Sequence, residues 1–196
     1  AIRFVEMLRR DLRMEELWMG PDFALGRERE GNVEFLRQAG QEQGFAVRVV
    51  PPLTWQGGII SSSRVRSALA AGDLGEVNGC LGRPYRVTGR AISTQPASEA
   101  AEHPRVELEL PPRRLLPAPG FYAGRASIAA QDLGRAVIDV PAHVPGAPHP
   151  VSVRVYLMED RTPHPGRKMR LSFIARLRNQ DEGLNLDAKT FSSAEE

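Results

Sequence analysis

G-I-I-S-S-S-R-V-R, residues 58–66, is the stretch that sets the fold of this chain. Ile59 and Ile60 end an apolar segment, three serines follow, and Val65, Ala68 and Leu69 then recur at helical spacing. The pattern predicts a loop out of a sheet that turns into a short amphipathic helix. A serine at the cap accepts hydrogen bonds from the first backbone N–H groups, which have no partner inside the helix. The remaining donors and the positive end of the helix dipole suit an anion. Arg64 and Arg66 add two guanidinium forks of the kind that grip phosphate oxygens.

Upstream of this stretch, Ile2, Val5, Leu8 and Leu12 recur at helical spacing, and Leu17-Trp18-Met19 is an apolar run closed by Gly20-Pro21. Val33, Leu36 and Ala39 mark a second helix, ended by Gly40 and Gly44, and residues 45–50 read as a further strand. Helix, strand, helix, strand, helix implies a parallel sheet covered by helices, whose ligands bind beyond the carboxyl ends of the strands. Downstream of Tyr85 the periodicity changes to alternation. Residues 86–92, 106–110, 121–128, 136–140, 151–157 and 169–175 read as strands between Pro/Gly turns, as in a small antiparallel barrel.

At 196 residues the chain holds one large domain or two small ones, and 41% apolar with 26% charged residues is an ordinary globular balance. Its 26 basic and 24 acidic residues leave a net charge of +2, which does not imply a nucleic-acid partner. The single cysteine, Cys80, excludes an internal disulfide and fits a reducing compartment. With no apolar run of about 18 residues, no membrane partner is expected and a cytoplasmic protein is. The four histidines, His103, His143, His149 and His164, sit beside prolines without zinc-like spacing. The oligomeric state is not legible.

M-G-P-D-F-A-L-G-R-E-R-E-G at residues 19–31 resembles the G-x-D-F-x-F-G-x-x-R-x-G loop of the prokaryotic bifunctional riboflavin kinase/FMN adenylyltransferases, also called FAD synthetases. G-F-A-V-R-V-V-P-P-L from Gly44, I-S-S-S-R-V-R from Ile60, L-A-A-G-D-L from Leu69 and L-G-R-P-Y from Leu81 are similar to the same family, in its order. The resemblance implies an α/β plus β architecture. Residues 1–82 would be the C-terminal half of a Rossmann-like nucleotidylyltransferase domain, and residues 83–196 a riboflavin-kinase-like β-barrel. It implies ATP, Mg²⁺ and FMN/FAD as cofactors and substrates, and small flavins and nucleotides as the partners. Ser61, Ser62, Ser63 and Arg66 match the family's phosphate-binding motif, and Gly20, Asp22, Phe23 and Arg29 its nucleotide and flavin pocket.

The sequence departs from the family at several points. Ala24 and Leu25 replace an arginine and a phenylalanine of the pocket loop, and no H-x-G-H motif occurs in the chain, which is therefore expected to be incomplete as an adenylyltransferase. In the kinase part, the family's P-T-A-N-L becomes P-R-V-E-L, so Arg105 and Glu107 stand at the positions that hold Mg²⁺-ATP. The glycine-rich approach to that motif is replaced by residues 93–103. The general-base strand V-E-V-H-L becomes V-R-V-Y-L, with Arg154 at the base, and a guanidinium cannot accept the hydroxyl proton of riboflavin. The expected function is FAD biosynthesis by adenylyl transfer from ATP to FMN, with an inactive kinase site. The alternatives are a non-catalytic flavin- or nucleotide-binding descendant and a still bifunctional enzyme in which Glu107 or Glu109 serves the metal or the base.

Overall fold

Val5 is fully buried on helix α1 (Ile2–Leu12), and around it gathers the core of the first of two units, Ala1–Ile60 and Ser61–Glu196. The structure, a computed structural model, describes residues 1–97, 103–144, 148–159 and 161–178. In the first unit, β1 (Glu16–Met19) leads into the short antiparallel pair β2 (Ala24–Leu25) and β3 (Gly31–Asn32). Helix α2 (Val33–Gln43) follows, then β4 (Ala46–Val49). Asn32 caps α2 by accepting from the Phe35 N–H at 3.0 Å, and Gly44, left-handed at φ 71°, ends it. β4 runs parallel to β1 with Met19 opposite Val49, and Met19, Leu36, Ala39 and Phe45 close on Val5. The predicted alternation and the parallel pairing are present. Among the described residues, however, the parallel sheet stops at these two strands. The chain after Pro51-Pro52 instead forms the hairpin β5 (Thr54–Trp55) and β6 (Gly58–Ile59), turned at Gln56 and Gly57 with φ of 47° and 76°. The first unit thus shows a parallel pair, short of the sheet that a Rossmann-like domain implies.

The second unit opens with α3 (Ser62–Ala71) and α4 (Leu74–Leu81). Six strands follow: β7 (Tyr85–Gln95), β8 (Arg105–Leu110), β9 (Gly120–Ile128), β10 (Gln131–Val140), β11 (Val151–Leu157) and β12 (Lys168–Arg178). They close a barrel in the order β10-β11-β8-β7-β12-β9, antiparallel at every seam. Alternation puts Val106, Leu108 and Leu110 of β8 and Val153, Val155 and Leu157 of β11 inside, each at most 1% exposed. Closure needs one very close approach. A Cβ on Gly89 would lie 2.4 Å from the Glu109 carbonyl oxygen, so that point of the β7–β8 seam has room only for glycine.

Packing gives the compact units Ala1–Ile60 and Ser61–Glu196, and α3 and α4 pack with the barrel. The reason is burial: Ala68, Leu69, Leu74 and Val77 of α3 and α4 belong to the same apolar cluster as the barrel interior. Asn78 fixes that contact, donating to the Phe173 and Ile174 carbonyls at 3.1 Å and accepting from the Tyr85 N–H at 2.8 Å. No helix among the described residues is long and apolar enough to cross a membrane.

Candidate functional site

Three places carry the residues singled out in the sequence. In the first unit, the loop after β1 turns at Pro21-Asp22, with the Phe23 N–H donating to the Gly20 carbonyl at 3.2 Å. Asp22 and Phe23 are exposed, as is Arg29, whose guanidinium reaches back to the Asp22 carbonyl at 2.7 Å. Gly20, Asp22, Phe23 and Arg29 therefore belong to one folded loop. Buried Gly31 closes it, since a Cβ there would sit 2.7 Å from the Leu25 side chain.

In the second unit, Ser61 caps α3 in extended conformation (φ −143°, ψ 157°) and accepts from the Arg64 N–H at 3.2 Å. Ser62 and Ser63 are exposed on the first turn, and Arg66 donates to the Ser63 hydroxyl at 3.2 Å. Ser61, Ser62, Ser63 and Arg66 are thus gathered at one helix start. Of the two forks expected to suit phosphate, Arg64 is engaged within the fold. Its guanidinium is ion-paired with Glu76 of α4, whose carboxylate also lies 3.8 Å from the Cys80 sulfur, so Arg64 ties two helices together. Burial pushes the Cys80 thiol up, against the nearby Arg64 charge, which marks it as an inert packing residue.

The third place is on the barrel's outer face. Strand register sets Ser93, Glu107, Arg154 and Asp139 directly side by side across β7, β8, β11 and β10. Gln95 and Arg105 are paired in the adjoining row. Ser93, Gln95, Arg105, Glu107 and Arg154 line a cleft of about 320 Å³. A bulge in β7 between Ala91 and Ser93 makes this possible, because the extra residue inverts the alternation and turns Ser93 and Gln95 outward. Arg105, Glu107 and Arg154, named separately from the sequence, are brought together here. Ser93, Gln95 and Asp139 were not named. Asp139 carried a signal, as a lone carboxylate in A-V-I-D-V, whereas the bulge left only Ile92 as one apolar residue out of step.

Arg154 is held by carboxylates on both sides. Its Nη2 lies 3.0 Å from Asp139 Oδ2, and Asp139 is only 3% exposed while Arg154 is about half exposed. Glu107 is its direct cross-strand neighbour. Such opposite-charge pairs contribute roughly 0.2–1 kcal/mol each. Glu107 and Glu109 both face outward, alternating with buried Val106, Leu108 and Leu110. Mg²⁺ asks for about six oxygen ligands in near-octahedral array. This cleft offers it Glu107 beside two guanidinium groups, and no set of three His, Cys, Asp or Glu side chains converges as metal ligands among the described residues. The residues present do not fit a magnesium site.

The sequence of known proteins gives these places a context. Residues 1–64 match the family model described as FAD synthetase, and residues 81–188, more than half of the chain, match that described as riboflavin kinase. The bifunctional riboflavin kinase/FMN adenylyltransferase of Pseudomonas fluorescens is 32% identical over 190 residues, covering 96% of this chain and 60% of that protein. The chain belongs to the bifunctional riboflavin kinase/FMN adenylyltransferase family. The Escherichia coli (strain K12) relative is 28% identical over 93% of this chain and 58% of its own length, so the chain spans about three-fifths of these curated relatives. A solved structure titled as a macrolide-efflux protein from Streptococcus pneumoniae superposes with a TM-score of 0.69 at 23% identity, covering 89% of this chain and 55% of that one. That likeness concerns the fold.

Proposed function

We propose that this chain contributes nucleotide and flavin binding to FAD biosynthesis, with adenylyl transfer from ATP to FMN as the family reaction, and that its barrel has kept the riboflavin-kinase shape without the chemistry. The parallel pair β1–β4 with α1 and α2 is in this view part of a Rossmann-like nucleotidylyltransferase sheet. Ser61, Ser62, Ser63 and Arg66 bind the ATP phosphates: hydroxyls and helix-end N–H groups donate to the phosphate oxygens, and Arg66 supplies a charged fork. Gly20, Asp22, Phe23 and Arg29 shape the flavin or nucleotide pocket.

The observation that carries the proposal is Arg154. At the position of the family's general base it presents only donors, and its charge is engaged by Asp139 at 3.0 Å. Loss of general-base catalysis costs typically 10²–10⁴-fold. Arg105 and Glu107 further replace the groups that would hold metal-bound nucleotide, and phosphoryl transfer depends on that positioning.

Binding without turnover is the expected behaviour. Calorimetric titration of the 196-residue chain with ATP should show saturable binding, and incubation with FMN and Mg²⁺-ATP should yield no FAD by chromatography, since the chain contains no H-x-G-H. FAD formed by the chain alone would place the adenylyl-transfer groups among residues assigned here to other roles.

A further inference from the structure

Arg105 is half-buried, yet among the described residues it has neither an ion pair nor a side-chain hydrogen bond. A cation partly withdrawn from water without a partner is unfavourable, and this one lines the cleft of about 320 Å³ with Ser93, Gln95, Glu107 and Arg154. Its strand neighbours explain the isolation. Cross-strand pairing sets Arg105 between Gln95 of β7 and Tyr156 of β11, and Arg154, on the diagonal, is ion-paired with Asp139. Glu107 lies two residues along β8 on the same face, and it too forms no ion pair among the described residues. One cavity therefore holds an uncommitted cation and an uncommitted carboxylate.

We propose that this cleft binds a phosphorylated polyol directly on its guanidinium groups, with no divalent cation between ligand and protein. The inference rests on the reading of the barrel as a kinase shape without kinase chemistry, and names what such a site still takes. A phosphate monoester carries a charge of about −1.5 to −2 on three oxygens, which the fork of Arg105 can grip in bidentate fashion. Arg154 commits one nitrogen to Asp139 and keeps further N–H donors, and the Ser93 hydroxyl and Gln95 amide add neutral ones. A carboxylate would fill one fork and leave the second facing no acceptor. Glu107, when ionised, only accepts, so it repels a bare phosphate and suits the hydroxyl groups of a polyol. A ligand with an acceptor end and a donor end uses both uncommitted charges. Ligand pockets hold roughly 300–1,000 Å³, so this cleft fits a polyol phosphate, free or as the arm of a flavin. Magnesium, which the donor set does not fit, is not needed to offset the phosphate charge.

The test is calorimetric titration of the 196-residue chain carrying Arg66→Ala, so that the helix start does not answer for phosphate. Ribitol 5-phosphate, FMN, inorganic phosphate and ribitol are titrated in EDTA and again in Mg²⁺. Ribitol 5-phosphate should bind with affinities within about twofold in the two media, because no metal joins the contact. Ribitol should bind at least about tenfold more weakly, and Arg105→Gln should lose at least about tenfold for ribitol 5-phosphate. Arg105→Lys, which keeps the charge without the fork, should fall between. Glu107→Gln should tighten inorganic phosphate and narrow its gap to ribitol 5-phosphate. Binding of FMN alongside ribitol 5-phosphate assigns the flavin arm as a source, and binding of ribitol 5-phosphate without FMN assigns a free polyol phosphate; both support the clamp. Circular dichroism melting verifies that each variant is folded. Binding of neither phosphate ester, binding abolished by EDTA, or undiminished affinity in folded Arg105→Gln would overturn the proposal. The reading beneath it fails separately, by formation of FMN from riboflavin and Mg²⁺-ATP.

Discussion

The helix start at Ser61 and the cleft between β8 and β11 belong to the same unit, and they are built differently. At the helix start the three hydroxyls and Arg66 stand on one turn, where the cap itself requires a side chain such as Ser61. At the cleft, Arg105, Glu107 and Arg154 occupy outward strand positions whose identity the barrel does not need, because the inward neighbours make its core. A side chain at a cap is tied to its helix, since losing it costs the helix. A site built on the outer face of a strand can be rewritten side chain by side chain while the closed ladder stays intact.

The sharpest contrast is between the two faces of one strand. Leu108→Ala inside the barrel should lower unfolding free energy by about 2–5 kcal/mol, whereas Glu107→Ala beside it should cost less than about 1 kcal/mol. Urea denaturation midpoints separate the two, and comparable losses would break the distinction. At the helix start, Arg66→Ala should weaken ATP binding by roughly 1.5–3 kcal/mol in calorimetry, as expected for a charged hydrogen bond to phosphate. Unchanged affinity would remove the site.

The charges of the cleft are set against one another. Arg154→Glu, which would place a carboxylate at the proposed general-base position, sets it against nearly buried Asp139 and should cost about 1–2 kcal/mol, discounted because Arg154 is half exposed. The double change Arg154→Glu, Asp139→Asn should recover most of that loss in thermal melts. An additive double variant would mean that the pair is not coupled.

The smallest effect lies on the outer face of β9 and β10. Arg125 and then the Gly134 N–H hold the Asp132 carboxyl below its ordinary value of 3.8. A carboxyl lowered by folding contributes stability above its unfolded pKa and loses it as pH falls through the folded value. The stability gap between the protein and Asp132→Asn should therefore be at most about 0.5 kcal/mol near pH 6 for so exposed a pair, and close as pH falls below about 4. A gap that widens in acid would contradict this.

Much of this molecule was legible in its residues. Alternation gave the six barrel strands, because inward Val, Leu and Phe must repeat at every second position to fill a closed barrel. The helix from Ser62 followed from its cap. What escaped were features set by distant partners. Arg64 looked free because Glu76, which holds it, lies on the next helix. The cleft needed a bulge at Ile92 to bring Ser93 beside Glu107, and a bulge leaves no mark in the periodicity beyond one misplaced apolar residue. The packing of α3 and α4 against the barrel interior is likewise visible only in their shared burial.

The claim that the barrel is a riboflavin-kinase fold without kinase chemistry rests on Arg154, and one assay reaches it. Riboflavin is incubated with the chain and Mg²⁺-ATP, and FMN is followed by chromatography, beside the variant Glu107→Gln. No FMN above the protein-free control is the predicted result. FMN produced by the chain and lost in Glu107→Gln would show that Glu107 has taken over the metal or the base, and that the site still works.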